Sequence, residues 1–134
     1  MLNINIDELK SLLSDIISKN IYSPVVIAFT NDEADKCFEK IIRYIENHGI
    51  SYCCINLCKE IQHETLGNKE IFIFHHLEKL AGCELLENNF FDIYNFAKIY
   101  NNPIIITIKK VDINKLQERN KARIKSGITI YVQK

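Results

Sequence analysis

The stretch that decides the fold is Ile71-Phe-Ile-Phe-His-His-Leu-Glu-Lys-Leu-Ala-Gly82, in which four apolar residues run directly into two histidines. A short apolar run bounded by polar residues is typical of a strand buried on both faces, and such strands belong to parallel sheets covered by helices. Ligands of these sheets bind beyond the carboxyl ends of the strands, where His75 and His76 would lie. The pair is therefore the first candidate for a functional site.

Length and composition describe a single globular domain. The 134 residues are 47% hydrophobic and 25% charged, the balance of an ordinary protein with one sizeable core. The 17 basic and 17 acidic side chains cancel, so the overall charge does not predict a broad surface for nucleic acid. No signal peptide or membrane-spanning run is visible, and the five cysteines lack the spacing of a disulfide framework. We therefore expect a cytoplasmic protein with reduced thiols.

Apolar runs and helical stripes alternate along the chain. Buried strands are predicted where β-branched and aromatic residues cluster, at 25–29, 50–57, 71–74, 104–108 and 127–132. Amphipathic helices are predicted at 7–19, 34–45, 85–100 (with Leu85 and Tyr100 in its apolar stripe) and 113–124, and a short helix and loop at 59–69. This alternation predicts an α/β fold, a three-layer α/β/α sandwich with a mostly parallel five-stranded sheet. Residues 1–134 then form one domain.

Four segments of the second half carry motifs that occur in a fixed order. Phe74-His-His-Leu-Glu-Lys-Leu-Ala-Gly82 has the form of a Walker B strand and turn, and Asn89-Phe-Phe-Asp-Ile-Tyr-Asn95 follows it on a helix. Residues 103–109 form a further strand, and 116–128 an arginine-bearing helix. In this order, without gaps, residues 71–133 resemble the nucleotide-binding domain of the bacterial replication initiator DnaA and its short regulatory relative Hda. The resemblance implies a P-loop core of the AAA+ type, here without a helical lid or a helix-turn-helix domain.

The segment at the position of the family's P-loop has the wrong chemistry for phosphate. It reads Phe29-Thr-Asn-Asp-Glu-Ala-Asp-Lys-Cys37, with three carboxylates and no glycine to let successive backbone N–H groups wrap phosphate oxygens. An ungapped match puts Asp35 on the family's lysine position and Lys36 on its hydroxyl position. Shifting by one residue puts Lys36 on the lysine and Cys37 on the hydroxyl. Because neither register makes a phosphate cradle, we expect no nucleotide and no cofactor.

His75 and His76 stand where the family has the paired acids that hold magnesium and polarise the attacking water. Magnesium prefers oxygen ligands, and imidazole is a poor substitute. His76 could serve as a base, but without a metal or a phosphate cradle it has nothing to activate. Thr107 falls at the sensor position, as a remnant or as a residue that faces a neighbouring strand. We therefore expect the histidines to mark a lost active site, with no catalytic residue and no metal, so that the protein is not an enzyme.

Arg119 and Arg123 lie four residues apart and therefore share one face of a helix. The resemblance implies that the arginine at position 123 reaches a neighbouring subunit's nucleotide and that the one at 119 supports assembly. An arginine delivered in this way needs no active site of its own, because the partner supplies the phosphates. The partner would be a replication initiator or a related AAA+ protein. The alternative is that both arginines belong to a solvated basic face.

Other interpretations of the sequence remain open. A divergent nucleotide-binding ATPase and a DNA-binding accessory factor are two further function classes, the second with a basic strip made of Lys109, Lys110, Lys115, Arg119, Lys121, Arg123 and Lys125. Cys53, Cys54, Cys58 and His63 do not have zinc-site spacing, and adjacent strand residues point to opposite faces. Cys83 beside a histidine lacks an orienting acid for nucleophilic catalysis. Residues 1–7 contain no glutamine, so a clamp-binding peptide like that of Hda is not predicted.

Overall fold

The computed structural model describes residues 2–5, 8, 11, 13–15, 24–29, 34–54 and 71–133. The strands are β1 (Leu2–Asn5), β2 (Val25–Phe29), β3 (Tyr52–Cys54), β4 (Ile71–Phe74), β5 (Ile104–Lys109) and β6 (Ile128–Gln133). The helices are α1 (Ala34–Asn47), α2 (Glu84–Ile99) and α3 (Glu118–Lys125), with two 3-10 helices at Leu77–Leu80 and Lys110–Lys115. Most of the helix predicted at 7–19, the end of the strand predicted at 50–57, and the segment 59–69 lie outside the described residues.

The described strands form one sheet in the order β1-β6-β2-β5-β4-β3, and each neighbouring pair is parallel. The prediction of a mostly parallel sheet with five strands is confirmed for β2 to β6. The sheet also has a sixth strand, β1, which lies at one edge of the sheet and pairs with β6. This strand was not predicted. Its sequence, Leu-Asn-Ile-Asn, is short and half polar. Strand formation there depends on the pairing partner rather than on local pattern.

Alternate residues of the central strands face two separate cores. Ile71 and Ile73 of β4 pack with Ile41 and Ile45 of α1 on one face of the sheet. Phe72 lies on the opposite face, in a second core that also holds residues of α2 and α3, namely Phe90, Ile93, Tyr94, Ala97 and Ile124. All four residues of β4 are buried, as expected for a strand covered on both sides. The predicted three-layer α/β/α sandwich is therefore confirmed.

The predicted helix at 113–124 is wrong as a single element. The chain forms the 3-10 helix Lys110–Lys115, passes through Leu116 and Gln117 in extended conformation, and then begins α3. Leu116 is only 4% exposed. Its burial in the core interrupts the charged helical pattern, because apolar burial outweighs the small differences in helix propensity.

The ends of α2 also depart from the predicted apolar stripe. Leu85 is 68% exposed and Tyr100 is 64% exposed, although both continue the helical spacing of the buried residues. Leu85 lies in the first turn of α2, and Tyr100 is its C-cap residue. Among the described helices, none combines the length and the apolar character needed to cross a bilayer.

Candidate functional site

Asp35, His75 and His76 meet at the carboxyl ends of the central strands, and we call them the His–Asp cluster. The two histidines follow β4 directly, and Asp35 lies in the first turn of α1. One carboxylate oxygen of Asp35, Oδ1, lies 3.0 Å from Nε2 of His75 and 2.9 Å from Nε2 of His76. The histidine side chains are 17% and 22% exposed, whereas that of Asp35 is 79% exposed. The cluster is therefore anchored on its histidine side and open to solvent on its carboxylate side.

The second ring nitrogen of each histidine is held from the opposite side. Nδ1 of His75 lies 2.6 Å from Oγ1 of Thr107, which is fully buried and also accepts the backbone N–H of His76 at 2.8 Å. Nδ1 of His76 lies 3.1 Å from Oε2 of Glu78. The other carboxylate oxygen of Glu78 accepts the backbone N–H of Lys109 at 3.0 Å. Both imidazole rings are thus oriented by outer hydrogen-bond partners.

Stacking and burial complete the environment of His75. Its ring lies parallel to that of Phe38, with centroids 4.0 Å apart and an interplanar angle of 17°. Burial lowers the pKa of His75, because desolvation disfavours the imidazolium, and the hydrogen bond with Asp35 opposes this shift. Hydrogen bonds with His76 and His75 lower the pKa of Asp35, because they favour its carboxylate form.

The structure brings together four of the five residues predicted at the degenerate nucleotide site: Asp35, His75, His76 and Thr107. Thr107 faces the residues that follow the neighbouring strand β4, so its hydroxyl is part of the cluster's support. Lys36 is exposed on α1 and has no hydrogen bond or ion pair with the cluster. Sequence reasoning missed the supporting residues Phe38 and Glu78. A signal for Phe38 was present, because it lies three residues after Asp35 on the same helical face.

The three cysteines whose side chains the structure describes do not join this site. Cys53, Cys54 and Cys83 form no disulfide, and Cys54 and Cys83 are exposed. Cys83 precedes α2 and makes no hydrogen bond with either histidine. Cys58 and His63, which belong to the other metal-site reading of the sequence, lie outside the described residues.

A second candidate site lies on α3, where Arg119 and Arg123 cover the ring of Phe91. The guanidinium carbons lie 4.5 Å and 4.0 Å from the centroid of that ring. Nη1 of Arg123 donates to the backbone carbonyl of Arg119 at 3.1 Å, and its Nε donates to Asn95 Oδ1 at 3.4 Å. We call Phe91, Arg119 and Arg123 the arginine surface. Within the described part of the chain, neither guanidinium forms an ion pair with a carboxylate.

Helix α3 is fixed to α2 by a buried polar network. Glu87 is 1% exposed, and its Oε1 accepts the backbone N–H of Gln117 at 2.7 Å and Nδ2 of Asn120 at 3.2 Å. Nδ2 of Asn120 also donates to the backbone carbonyl of Glu87. Side-chain Oδ1 of Asn120 is buried without a hydrogen-bond partner. The network sets the position of the helix that carries both arginines.

The strand order matches a fold known from solved structures. Without the edge strand β1, the parallel order β6-β2-β5-β4-β3 is that of the AAA+ ATPase core, as in domain III of DnaA. No family model and no curated protein matches the sequence. The fold likeness to DnaA is therefore carried by comparison with solved structures.

Three DnaA structures share this fold. AMPPCP-bound DnaA from Aquifex aeolicus has a TM-score of 0.74 at 12% identity, covering 99% of this chain and 48% of that one. DnaA bound to AMPPCP and single-stranded DNA gives 0.75 at 13% identity, covering 92% and 45%. Domain III of DnaA from Thermotoga maritima gives 0.73 at 13% identity, covering 95% and 62%. This chain spans about half the length of the first two DnaA chains, and the resemblance to the DnaA AAA+ domain holds for the fold.

The described residues at the His–Asp cluster do not fit a magnesium–nucleotide group. Asp35 places a negative charge in the first turn of α1, where a phosphate would otherwise be favoured by the helix dipole. His75 and His76 present nitrogen to a position at which magnesium requires oxygen. Because imidazole nitrogens stand where a magnesium–nucleotide site has oxygen donors, this site differs in its ligand chemistry from a magnesium–nucleotide site.

Proposed function

We propose that this protein is a non-catalytic, DnaA-like regulator that affects the initiation of DNA replication by contacting an initiator-type ATPase. The observation that carries the proposal is the arginine surface, whose two positive charges lack a carboxylate partner among the described residues. A guanidinium held in a fixed orientation is suited to an anionic group such as a phosphate on another molecule.

Preorganisation of the two guanidinium groups supports this proposal over a solvated basic face. A freely solvated arginine would lose side-chain entropy on binding, whereas Arg123 is already held against Phe91 and Asn95. Lys121 on the same helix differs, because its ammonium pairs with Glu118 at 2.6 Å. Only part of the positive charge of α3 is therefore available to a partner.

The chemistry of the His–Asp cluster, which lies where a nucleotide would be expected in this fold, is consistent with a partner that supplies the phosphates. Since the His–Asp cluster does not fit a magnesium–nucleotide group, an arginine of this chain would act on a nucleotide held elsewhere. The DnaA structures that share this fold include AMPPCP-bound forms. A nucleotide-loaded initiator of that class is the partner we propose.

The DNA-binding alternative has less support. Two lysines of the basic strip are neutralised within the chain, because Lys115 pairs with Asp112 at 2.8 Å and Lys121 pairs with Glu118. A strip that retains only part of its charge releases fewer counterions and binds nucleic acid more weakly. A shift of labelled single-stranded DNA that decreases steeply with salt and disappears in Arg119→Glu would favour this alternative.

The test measures binding of the chain to the DnaA initiator of its own cell, loaded with ATP or with ADP. We expect a complex with the ATP form, and we expect Arg123→Ala to weaken it by about 2 kcal/mol or more, roughly 30-fold, because truncating one partner of a desolvated charge pair has a cost of this size. Lys125→Ala is the matched control, because it removes an exposed charge from the same helix. Phosphate release by the initiator is followed in the same samples.

Two results would contradict the proposal. One is the absence of any complex with the ATP-loaded initiator, or equal binding by Arg123→Ala and Lys125→Ala. The other is calorimetric binding of ATP and magnesium to this chain alone at micromolar concentration, which would support the divergent-ATPase alternative instead. Recovery of partners from the native cell, with Arg123→Ala as bait in parallel, extends the test to other ATPases of the class.

A further inference from the structure

We propose that the His–Asp cluster is a binding site for a divalent transition-metal ion, with Zn²⁺ as the preferred ion. Its ligands are Nε2 of His75, Nε2 of His76 and a carboxylate oxygen of Asp35, which all lie within 4.8 Å of one another. The sequence predicts no metal here, because imidazole is a poor ligand for the magnesium that the family binds at this position. The proposal stands independently of the proposed regulatory function.

The ligand spacing is close to that of a metal centre. Bonds of about 2.0–2.1 Å in a tetrahedral zinc site place neighbouring ligand atoms roughly 3.3 Å apart. The Asp35 oxygen lies 3.0 Å and 2.9 Å from the two histidine nitrogens, so an ion needs the carboxylate to withdraw by a few tenths of an ångström. Asp35 can make this movement because its side chain is 79% exposed.

The hydrogen-bond arrangement of His76 is compatible with a bound metal ion. Its Nδ1 faces the carboxylate of Glu78, and its Nε2 faces the carboxylate of Asp35. A neutral imidazole has one N–H, so it can donate to only one of two carboxylates. An imidazolium would donate to both carboxylates, and a metal ion satisfies them as well, because it accepts lone pairs from Nε2 and from the Asp35 oxygen while Nδ1–H donates to Glu78.

The support around both rings matches that of metal-binding histidines. Such histidines almost always donate their second ring N–H to a carboxylate, a carbonyl or a water, which fixes the tautomer and the ring orientation. Glu78 takes this role for His76 and is itself held by the backbone N–H of Lys109. The Thr107 hydroxyl has two lone pairs, one for Nδ1–H of His75 and one for the N–H of His76.

The chemistry of the ligands selects the ion. Two imidazoles and one carboxylate suit zinc and other first-row transition metals, whereas magnesium is bound by oxygen. Three protein ligands leave a fourth position for water or for a group from another molecule. Solvent can reach the site on the side of Asp35, because that side chain is exposed. A bound ion would connect the first turn of α1 to the end of β4.

The test uses the full chain, stripped with a chelator and titrated with Zn²⁺ against a competing chelator dye. We expect one ion per chain, with the ring nitrogen resonances of His75 and His76 shifted and those of His48, whose ring contacts Tyr44 of α1, unchanged. Co²⁺ is the second probe. Since the chain has five cysteines, a cobalt complex without a thiolate charge-transfer band is required to exclude binding by thiols.

Two conservative substitutions test the ligand and its outer support. Glu78→Gln is expected to weaken Zn²⁺ binding about 10- to 100-fold, as outer-shell substitutions do, and Asp35→Asn, which removes a direct ligand from an exposed position, at least as much. His48→Ala is the matched control and should bind Zn²⁺ like the parent chain. Unchanged affinity in Asp35→Asn would overturn the proposal. Unmoved resonances of His75 and His76, or a thiolate band with Co²⁺, would overturn it as well.

Discussion

His76 combines an unusual backbone conformation with a side chain that completes the cluster. Its φ of 56° and ψ of 55° lie in the left-handed region, which non-glycine residues rarely adopt. Successive residues of a strand point to opposite faces, so His75 and His76 would diverge if β4 continued. At His76 the chain instead adopts the left-handed conformation before the 3-10 helix Leu77–Leu80, and both Nε2 atoms approach the same oxygen of Asp35. Backbone strain at this residue is therefore linked directly to the geometry of the site.

The strain at His76 can be measured by comparing His76→Gly with His76→Ala. Both variants remove the imidazole, but only alanine keeps a Cβ in the left-handed region, which costs about 1–2 kcal/mol. Glycine avoids this cost, but it makes the unfolded chain more flexible, which lowers the free energy of unfolding of the glycine variant by about 0.4–1 kcal/mol. We expect the alanine variant to have a free energy of unfolding lower by about 0.5–1 kcal/mol. Urea unfolding in the presence of a chelator measures it, and an alanine variant as stable as the glycine variant would contradict strain at this position.

Helix α3 shows how a short charged element depends on its neighbours. Eight residues are too few for a stable isolated helix, and this helix has only two buried side chains, Asn120 and Ile124. Its first turn is instead held by Glu87, which accepts the backbone N–H of Gln117 at the helix start. This contact satisfies one of the N–H groups that the start of a helix leaves without an internal partner.

Removal of the Glu87 carboxylate should loosen α3. We expect Glu87→Ala to lower the free energy of unfolding by about 1–3 kcal/mol, because it leaves the backbone N–H of Gln117 without its acceptor and removes one of the two acceptors of Asn120 Nδ2. Asp92→Ala is the control, since it removes an exposed carboxylate from the same helix. The measurements are urea unfolding and hydrogen exchange at residues 117–121. Equal effects of the two substitutions would show that the network does not hold the helix.

The whole molecule is stabilised by two apolar layers on opposite faces of one parallel sheet. Phe74 and Phe90 meet edge to face in one layer, with centroids 4.9 Å apart, and both are buried. Aromatic pairs in this arrangement contribute beyond their buried area. Both layers pack on the central strands, and the His–Asp cluster lies at the carboxyl ends of these strands.

Substitution in this layer should have a large effect that exposed apolar residues do not share. We expect Phe74→Ala to lower the free energy of unfolding by about 3–5 kcal/mol, because it leaves a cavity in the core. Leu85→Ala should change it by less than about 0.5 kcal/mol, because its side chain is 68% exposed. Circular dichroism during urea unfolding measures both values. A similar loss in the two variants would contradict the assignment of Leu85 to the surface.

The order of strands and helices follows from local pattern, because buried strands and amphipathic helices have different apolar periods. This pattern predicted the fold class, and the motifs of residues 71–133 predicted the likeness to the DnaA core. Local pattern could not predict β1, since an edge strand of four residues depends on its partner. It also could not predict the break at Leu116, which burial in the core imposes.

The residue types of the site were evident before the fold was known. The sequence placed His75 and His76 at the end of a buried strand and Asp35 near the start of a helix. The resemblance assigned them to one degenerate site, but only the tertiary structure shows that they form hydrogen bonds with one another, because the parallel sheet brings the end of β4 and the start of α1 together across 40 residues of chain. The left-handed conformation at His76 then directed both rings to one carboxylate. Convergence of this kind depends on backbone geometry, which side-chain periodicity does not encode.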